Sequence, residues 1–111
     1  MDRETSIRIE ECLAGMDDTK RELTRPILMH YAWIVGQIGK LQRRIDEEGI
    51  LIEMEKGGKG NRHVVIEENP AVKTLHKLTS EEGNHYAKLM RFLSKAEAEQ
   101  VDALQEFLIT R

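Results

Sequence analysis

The run PILMHYAWIVGQIGKLQRRIDEEG, Pro26–Gly49, decides the fold. Within it Ile27, Tyr31, Ile34, Ile38, Leu41 and Ile45 recur at alternating spacings of four and three, a 3.5-residue period that sets all six along one seam of an α-helix. Thr24 stands where an N-cap is expected. Pro26 then belongs to the first turn, where its missing N–H would have had no partner anyway, and Gly49 closes the helix. The predicted helix has about 25 residues and is roughly 37 Å long at 1.5 Å per residue. Gly36 and Gly39 lie inside it, each costing up to ~1 kcal/mol relative to alanine, and close approach of a neighbouring helix explains them.

Apolar residues are not confined to the seam: Leu28, Met29, Trp33 and Val35 carry the apolar surface around the helix. A helix that is hydrophobic all round is covered from several directions. A returning helix takes one side and short terminal helices a second. In a chain of 111 residues, subunit packing is the simplest cover for the remainder. Leu28, Met29, Trp33 and Val35 are therefore the candidate oligomer interface.

Downstream of Gly49, Ile50, Ile52 and Met54 alternate with Leu51, Glu53 and Glu55, and Val64–Ile66 is β-branched. With the glycine-rich stretch between them these runs predict a β-hairpin. Asn69-Pro70 restarts a helix, asparagine as N-cap and proline at the first position. Its apolar stripe runs to Leu93, with Ser80 and Gly83 expected to bend or break it. Ser94 and Glu97 form a capping box before a last short helix that buries Val101, Leu104 and Phe107 or Leu108. Upstream, Ile9, Cys12, Leu13 and Met16 mark a short helix over 3–16, and D-D-T-K (17–20) breaks the pattern. The expected fold is mainly α: an antiparallel hairpin of two long helices, a small β-hairpin between them, and short terminal helices. It forms a single domain, 1–111, with an N-terminal helical segment (1–23), a helix–β-hairpin–helix core (24–93) and a C-terminal helix (94–111).

No apolar run approaches the ~18 residues a membrane span needs, and the charged first ten residues lack the apolar core of a signal peptide. The single cysteine, Cys12, has no partner for an internal disulfide, which fits a reducing compartment and a cytoplasmic protein. The net charge of −3 argues against non-specific wrapping of nucleic acid. Its distribution is uneven: both ends are acidic, whereas 24–49 and 71–95 are net basic. Any contact with a polyanion is expected in the middle.

K-G-G-K-G-N-R-H (Lys56–His63) has three glycines among three basic residues. It is not a phosphate-binding P-loop: Lys59 is followed by glycine, no serine or threonine is placed for magnesium, and a strand rather than a helix follows. Two readings remain, a mobile basic finger that touches phosphates and a soluble turn whose lysines keep a strand edge from aggregating. Lys40, Arg43 and Arg44 on the last turns of the first long helix, and Lys73 and Lys77 on the first turns of the second, gather at the hairpin's end if the helices are antiparallel. With Lys56, Lys59 and Arg62 they form the candidate DNA-binding set. A plainer explanation exists for the first three, since cations near a helix C-terminus complement its dipole.

Catalytic residues are not apparent. His30, His63, His76 and His85 lack metal-ligand spacing, Cys12 has no C-x-x-C partner, and no nucleophile elbow is present. The expectation is a protein that is not an enzyme, with no metal, cofactor or small-molecule substrate and no membrane association.

The run from Leu23 to Glu53, the glycine-bearing hairpin and N-P-A-V-K-T-L-H-K-L together resemble the P27-like small terminase subunits of tailed bacteriophages and prophages. In that family a helix with a central tyrosine ends in an E-x-G-L-like turn, an irregular connector follows, and an N-P or H-P start opens a second long helix. The matching positions are Tyr31, Glu48, Gly49, Leu51, Asn69, Pro70 and Leu75, and the resemblance covers about 23–93. The family's G-L-T-P-x-x-R-like closing segment is replaced here by Leu93-Ser94-Lys95-Ala96-Glu97-Ala98-Glu99. The resemblance implies a non-enzymatic part of a genome-packaging motor. Such a subunit forms a homo-oligomeric ring in the bacterial host cytoplasm, binds double-stranded viral DNA, and docks or regulates the large terminase subunit that holds the ATPase and nuclease. Two other classes fit the residues: a winged-helix regulator with the glycine stretch as its wing, and a structural oligomer or adaptor without DNA contact.

Overall fold

The computed structural model describes residues 1–111. Helix α1 spans Arg3–Leu13, capped by Asp2, whose side chain accepts from the Thr5 N–H at 2.8 Å. Thr5, Ile9, Cys12 and Leu13 are its buried face. Helix α2 spans Asp18–Glu48 and is longer than the seam predicts. Its cap is Asp17, which accepts from Lys20 N–H at 2.8 Å. Thr24, expected as the cap, lies within the helix, fully buried, its hydroxyl without a partner. Pro26 is inside the helix too. It is exposed, but it cannot donate to the Glu22 carbonyl and its ring crowds that oxygen, a local cost of about 3 kcal/mol that the packing of the long helix offsets. Asp17-Asp18 falls at the expected break after the first helix and also starts the second, since carboxylates favour the positive end of the helix dipole.

Strands β1 (Leu51–Lys56) and β2 (His63–Glu68) pair antiparallel, Leu51 opposite Glu68 through Lys56 opposite His63. Gly57 and Gly60 in the connection have φ of 102° and 84°, the left-handed region that glycine enters without penalty. A Cβ on Gly57 would also collide with the Asn61 carbonyl. Helix α3 runs unbroken from Pro70 to Met90. Ser80 and Gly83 do not interrupt it: both lie on its exposed surface, where their cost is only their helix propensity. Helix α4, Lys95–Thr110, opens with the expected capping box between Ser94 and Glu97, and at 16 residues it is longer than a short terminal helix. No helix is long and apolar enough to cross a membrane.

The core lies where four helices meet. It joins Ile9, Cys12, Leu13 and Met16 from the first segment, Leu28, Tyr31, Ala32 and Val35 of α2, Leu89 of α3, and Val101, Leu104 and Leu108 of α4. Tyr31 Oη donates to Glu82 Oε1 at 3.0 Å, and Gln105 Nε2 donates to the same oxygen at 3.0 Å, tying α2, α3 and α4 together. The end of α4 reaches Gly39 and Arg43 of α2, and past that level α2 and α3 continue with only each other for cover. Leu41, Ile45, Val72, Leu75 and Leu78 along that distal pair are half-buried. The molecule is 66 Å long and 24 × 21 Å across, as expected of a 31-residue helix of about 46 Å continued by a hairpin of about 20 Å.

Asn69 is the joint between stalk and hairpin. Fully buried, it caps α3 by accepting from Ala71 N–H at 3.1 Å and donates its amide to Glu48 Oε1 (3.1 Å) and the Gly49 carbonyl (3.0 Å). Its own N–H bonds the Ile50 carbonyl at 2.7 Å. Asn69→Ala is expected to cost about 1–2 kcal/mol. Asn69→Asp keeps the cap but sets a second carboxylate against Glu48, so it is not expected to restore the wild-type urea midpoint.

A second joint ties the start of α2 to the start of α4. Lys20 Nζ contacts Glu97 Oε1 at 2.6 Å, and the Ser94 N–H donates to the same oxygen at 2.8 Å. The Lys20 ammonium first, and then the Ser94 N–H, hold the Glu97 carboxyl below its ordinary value of 4.5. Because the folded value is the lower one, the stabilisation is complete above 4.5 and is lost as the pH falls below it. Glu97→Gln keeps the capping geometry without the charge. The melting-temperature gap between wild type and Glu97→Gln is therefore expected to close on acidification from neutral pH; a gap that stays constant would contradict the assignment.

Candidate nucleic-acid interface

Helix α2 fixes the first group of cations. Its buried residues centre on Tyr31, Val35 and Ile38, which turns Pro26, Met29, Trp33, Gly36, Gln37 and Lys40 to the opposite side. Lys40 and Arg43 line a cavity of about 460 Å³ with Trp33, Gly36, Gln37 and Arg111. Arg43 Nη1 reaches the Arg111 carbonyl at 3.4 Å, and Lys40 is exposed. Half-exposed Trp33 stacks on His30 at 6.1 Å between ring centroids, and His30 in turn meets His85 of α3 at 4.7 Å. The His85 Nδ1 lies 2.9 Å from the Glu81 carbonyl.

Arg44 is committed elsewhere: its Nε bonds Glu48 Oε1 at 2.9 Å, one helical turn on, and together with Asn69 it holds the Glu48 carboxyl below its ordinary range. On the hairpin, Lys56 is paired with Glu67 and Arg62 with Glu55. Lys59, at the tip between Gly58 and Gly60, is exposed and has no ionic partner. Lys73 and Lys77, one turn apart on α3, are exposed and make no ion pair either. Of the eight expected cations, Lys40 and Arg43 stand where the start of α1 and the end of α4 meet α2, and the other six lie on the end of α2, the start of α3 and the hairpin. Five of them, Lys40, Arg43, Lys59, Lys73 and Lys77, are free of carboxylate partners, and Arg44, Lys56 and Arg62 are not. Free ammonium and guanidinium groups of this kind neutralise phosphates without reading bases.

The candidate oligomer interface divides in two. Leu28 and Val35 are 0% and 1% exposed and belong to the core of the chain, so they are not available to a second subunit. The helices α1 and α4 cover that side of α2. Met29 and Trp33 are 43% and 51% exposed and remain on the open face. Gly39 has the close neighbour expected of it, with the Leu108 carbonyl 3.7 Å from where a Cβ would stand, whereas a Cβ on Gly36 would meet nothing. Trp33 and the Lys40–Arg43 pair, expected in two different sites, share one cavity. Their spacing of seven and three residues already puts them on one helical face.

Cys12 is buried, its thiol faces the Gln100 carbonyl at 3.4 Å, and burial pushes it up to about 11. It is thus protonated at neutral pH and weakly nucleophilic. Comparison with family models, with curated proteins and with solved structures gives no match for this chain.

Proposed function

We propose that this chain is a small terminase-type subunit of a phage DNA-packaging motor: a non-enzymatic protein of the host cytoplasm that assembles with copies of itself, as a ring, around or beside double-stranded viral DNA and regulates the large subunit. The observation that carries the reading is the molecule's polarity. One end is a closed four-helix core; the other is an under-covered two-helix stalk with unpaired cations and a protruding hairpin. The motif resemblance over 23–93 spans core and stalk: Tyr31 lies in the core, and Glu48, Gly49, Asn69 and Pro70 form the joint to the hairpin. The strands pack on each other instead of lying along a helical core, which favours this reading over a winged helix.

The adaptor reading has one observation in its favour, the ion pairing of Arg44, Lys56 and Arg62 within the chain. A salt titration of duplex DNA binding separates the two. Replacing Lys40, Arg43 and Lys59 with alanine is expected to flatten the slope of log affinity against log salt by about 0.9 for each phosphate that is no longer neutralised. Wild-type protein that fails to bind duplex even at low salt would leave the adaptor.

A further inference from the structure

The face of α2 turned away from the core carries a cleft. The start of α1 and the end of α4 wall it on one side, and its volume of about 460 Å³ falls within the ~300–1,000 Å³ usual for small-ligand sites. Trp33, Gly36, Gln37, Lys40 and Arg43 of α2 line it together with Arg111. Trp33 and Lys40 are seven residues apart in the sequence, about 10 Å along the helix axis, and Gly36 stands between them. A Cβ on Gly36 would meet nothing, so the floor between the indole and the ammonium is open backbone.

Three kinds of chemistry meet on this lining. The indole is half-exposed and stacks on His30 alone, which leaves it π-surface to offer. Gln37 brings an amide that can both donate and accept. The cations differ in their commitments. Arg111 is paired with Asp2 and donates to Thr5 Oγ1 at 2.6 Å, whereas Lys40 and Arg43 have no carboxylate partner. The contact of Arg43 Nη1 with the Arg111 carbonyl at 3.4 Å holds its guanidinium beside the cleft. Asp2 is the one carboxylate in the lining and Arg111 offsets it, so Lys40 and Arg43 make the cleft cationic.

A ring face, an amide and two free cations match a nucleotide, with its base on the ring, its base edge at the amide and its phosphate on the cations. A base inside a duplex has no free face, because its neighbours in the stack cover both, and contacts to phosphate alone need no aromatic ring. We propose that the cleft takes a single nucleotide outside a duplex, its base lying on Trp33 over Gly36 and its phosphate on Lys40 and Arg43. This rests on the nucleic-acid contact of the function proposed above and names the part of the strand that the cleft receives. An unpaired or terminal nucleotide of a DNA strand carries this chemistry, and so does a free nucleoside monophosphate.

Trp33 is the only tryptophan of the chain, so its fluorescence reports on the cleft. With the full-length protein at low salt, a short oligothymidylate is expected to quench it, and a long linear duplex is expected to bind without quenching. Gly36→Leu sets a side chain where the base would lie and improves helix propensity. Trp33→Leu keeps apolar bulk but removes the ring. Each is expected to weaken binding of the oligonucleotide by about tenfold or more, read by anisotropy of a labelled strand. Thymidine monophosphate that binds as tightly as the oligonucleotide would identify a free nucleotide as the ligand; tighter binding of the oligonucleotide would identify the strand. The nucleotide site is overturned, with duplex binding left standing, if the duplex quenches as strongly as the single strand or if both substitutions are without effect. Inorganic phosphate that displaces the oligonucleotide as well as thymidine monophosphate does would also overturn it, as would a loss of binding in Gly36→Leu that sedimentation traces to lost assembly. A chain that binds the oligonucleotide but no duplex would keep the cleft and overturn the duplex reading, and one that binds neither would overturn both.

Discussion

Leu28→Ala is expected to lower the stability of the folded chain by about 2–5 kcal/mol, the range for emptying a large aliphatic position in a packed core. Leu28 is fully buried in the cluster that joins all four helices, against residues of α1 and α4 as well as its own helix. The missing atoms leave a cavity that rigid helices on several sides close only in part. For a domain of ordinary stability, about 5–15 kcal/mol in total, this is a large fraction. The measurement is urea unfolding at a fixed protein concentration. A decrease below ~1 kcal/mol would mean that Leu28 faces solvent or another subunit, contrary to the fold.

Substituting both Met29 and Trp33 with serine should have the converse signature. These side chains are exposed on the open face of α2, so their removal takes little packing from the chain and the helical circular dichroism should persist. If that face is a subunit contact, a half-exposed tryptophan is the kind of residue that carries binding energy, and its truncation costs about 2 kcal/mol or more. Assembly should then weaken by at least ~30-fold, at about 1.4 kcal/mol per tenfold. Sedimentation of wild type and variant over a concentration series checks this. Unchanged assembly would remove this face from the interface.

Local signals made the middle of the chain readable. Asn69-Pro70, the Ser94–Glu97 box, the alternation in 50–55 and the glycines each act over a few residues, and each does in the structure what its chemistry dictates. The start of α2 is less legible, because Pro26 suggests a first turn that the helix does not need there. The helix carries Pro26 in its interior despite the lost hydrogen bond and the crowding of the carbonyl a turn earlier, and Asp17 caps the helix nine residues before it. The interface expectation fails at Leu28 and Val35 for another reason. Periodicity says which residues share a face, but which face α1 and α4 will cover is settled by packing between segments distant in sequence. The same applies to the cations. Arg44 and Glu48 are four apart and their pairing is legible, whereas Lys56–Glu67 and Arg62–Glu55 depend on strand register.

The free cations and the uncovered apolar surface both lie outside the core, so neither is needed to hold the chain together. Their arrangement along one long molecule makes sense if copies pack side by side and present Lys40, Arg43 and Lys59 to a common polyanion. The closed end, with its part-buried Tyr31–Glu82–Gln105 network, then acts as the rigid body that sets the angle between neighbours.

Self-assembly is the central claim, and a native mass spectrum of the full-length chain at physiological pH and ionic strength tests it most directly. The predicted result is a single closed assembly larger than a dimer, which persists when Lys40, Arg43 and Lys59 are neutralised. A chain that remains monomeric across the accessible concentration range would contradict it.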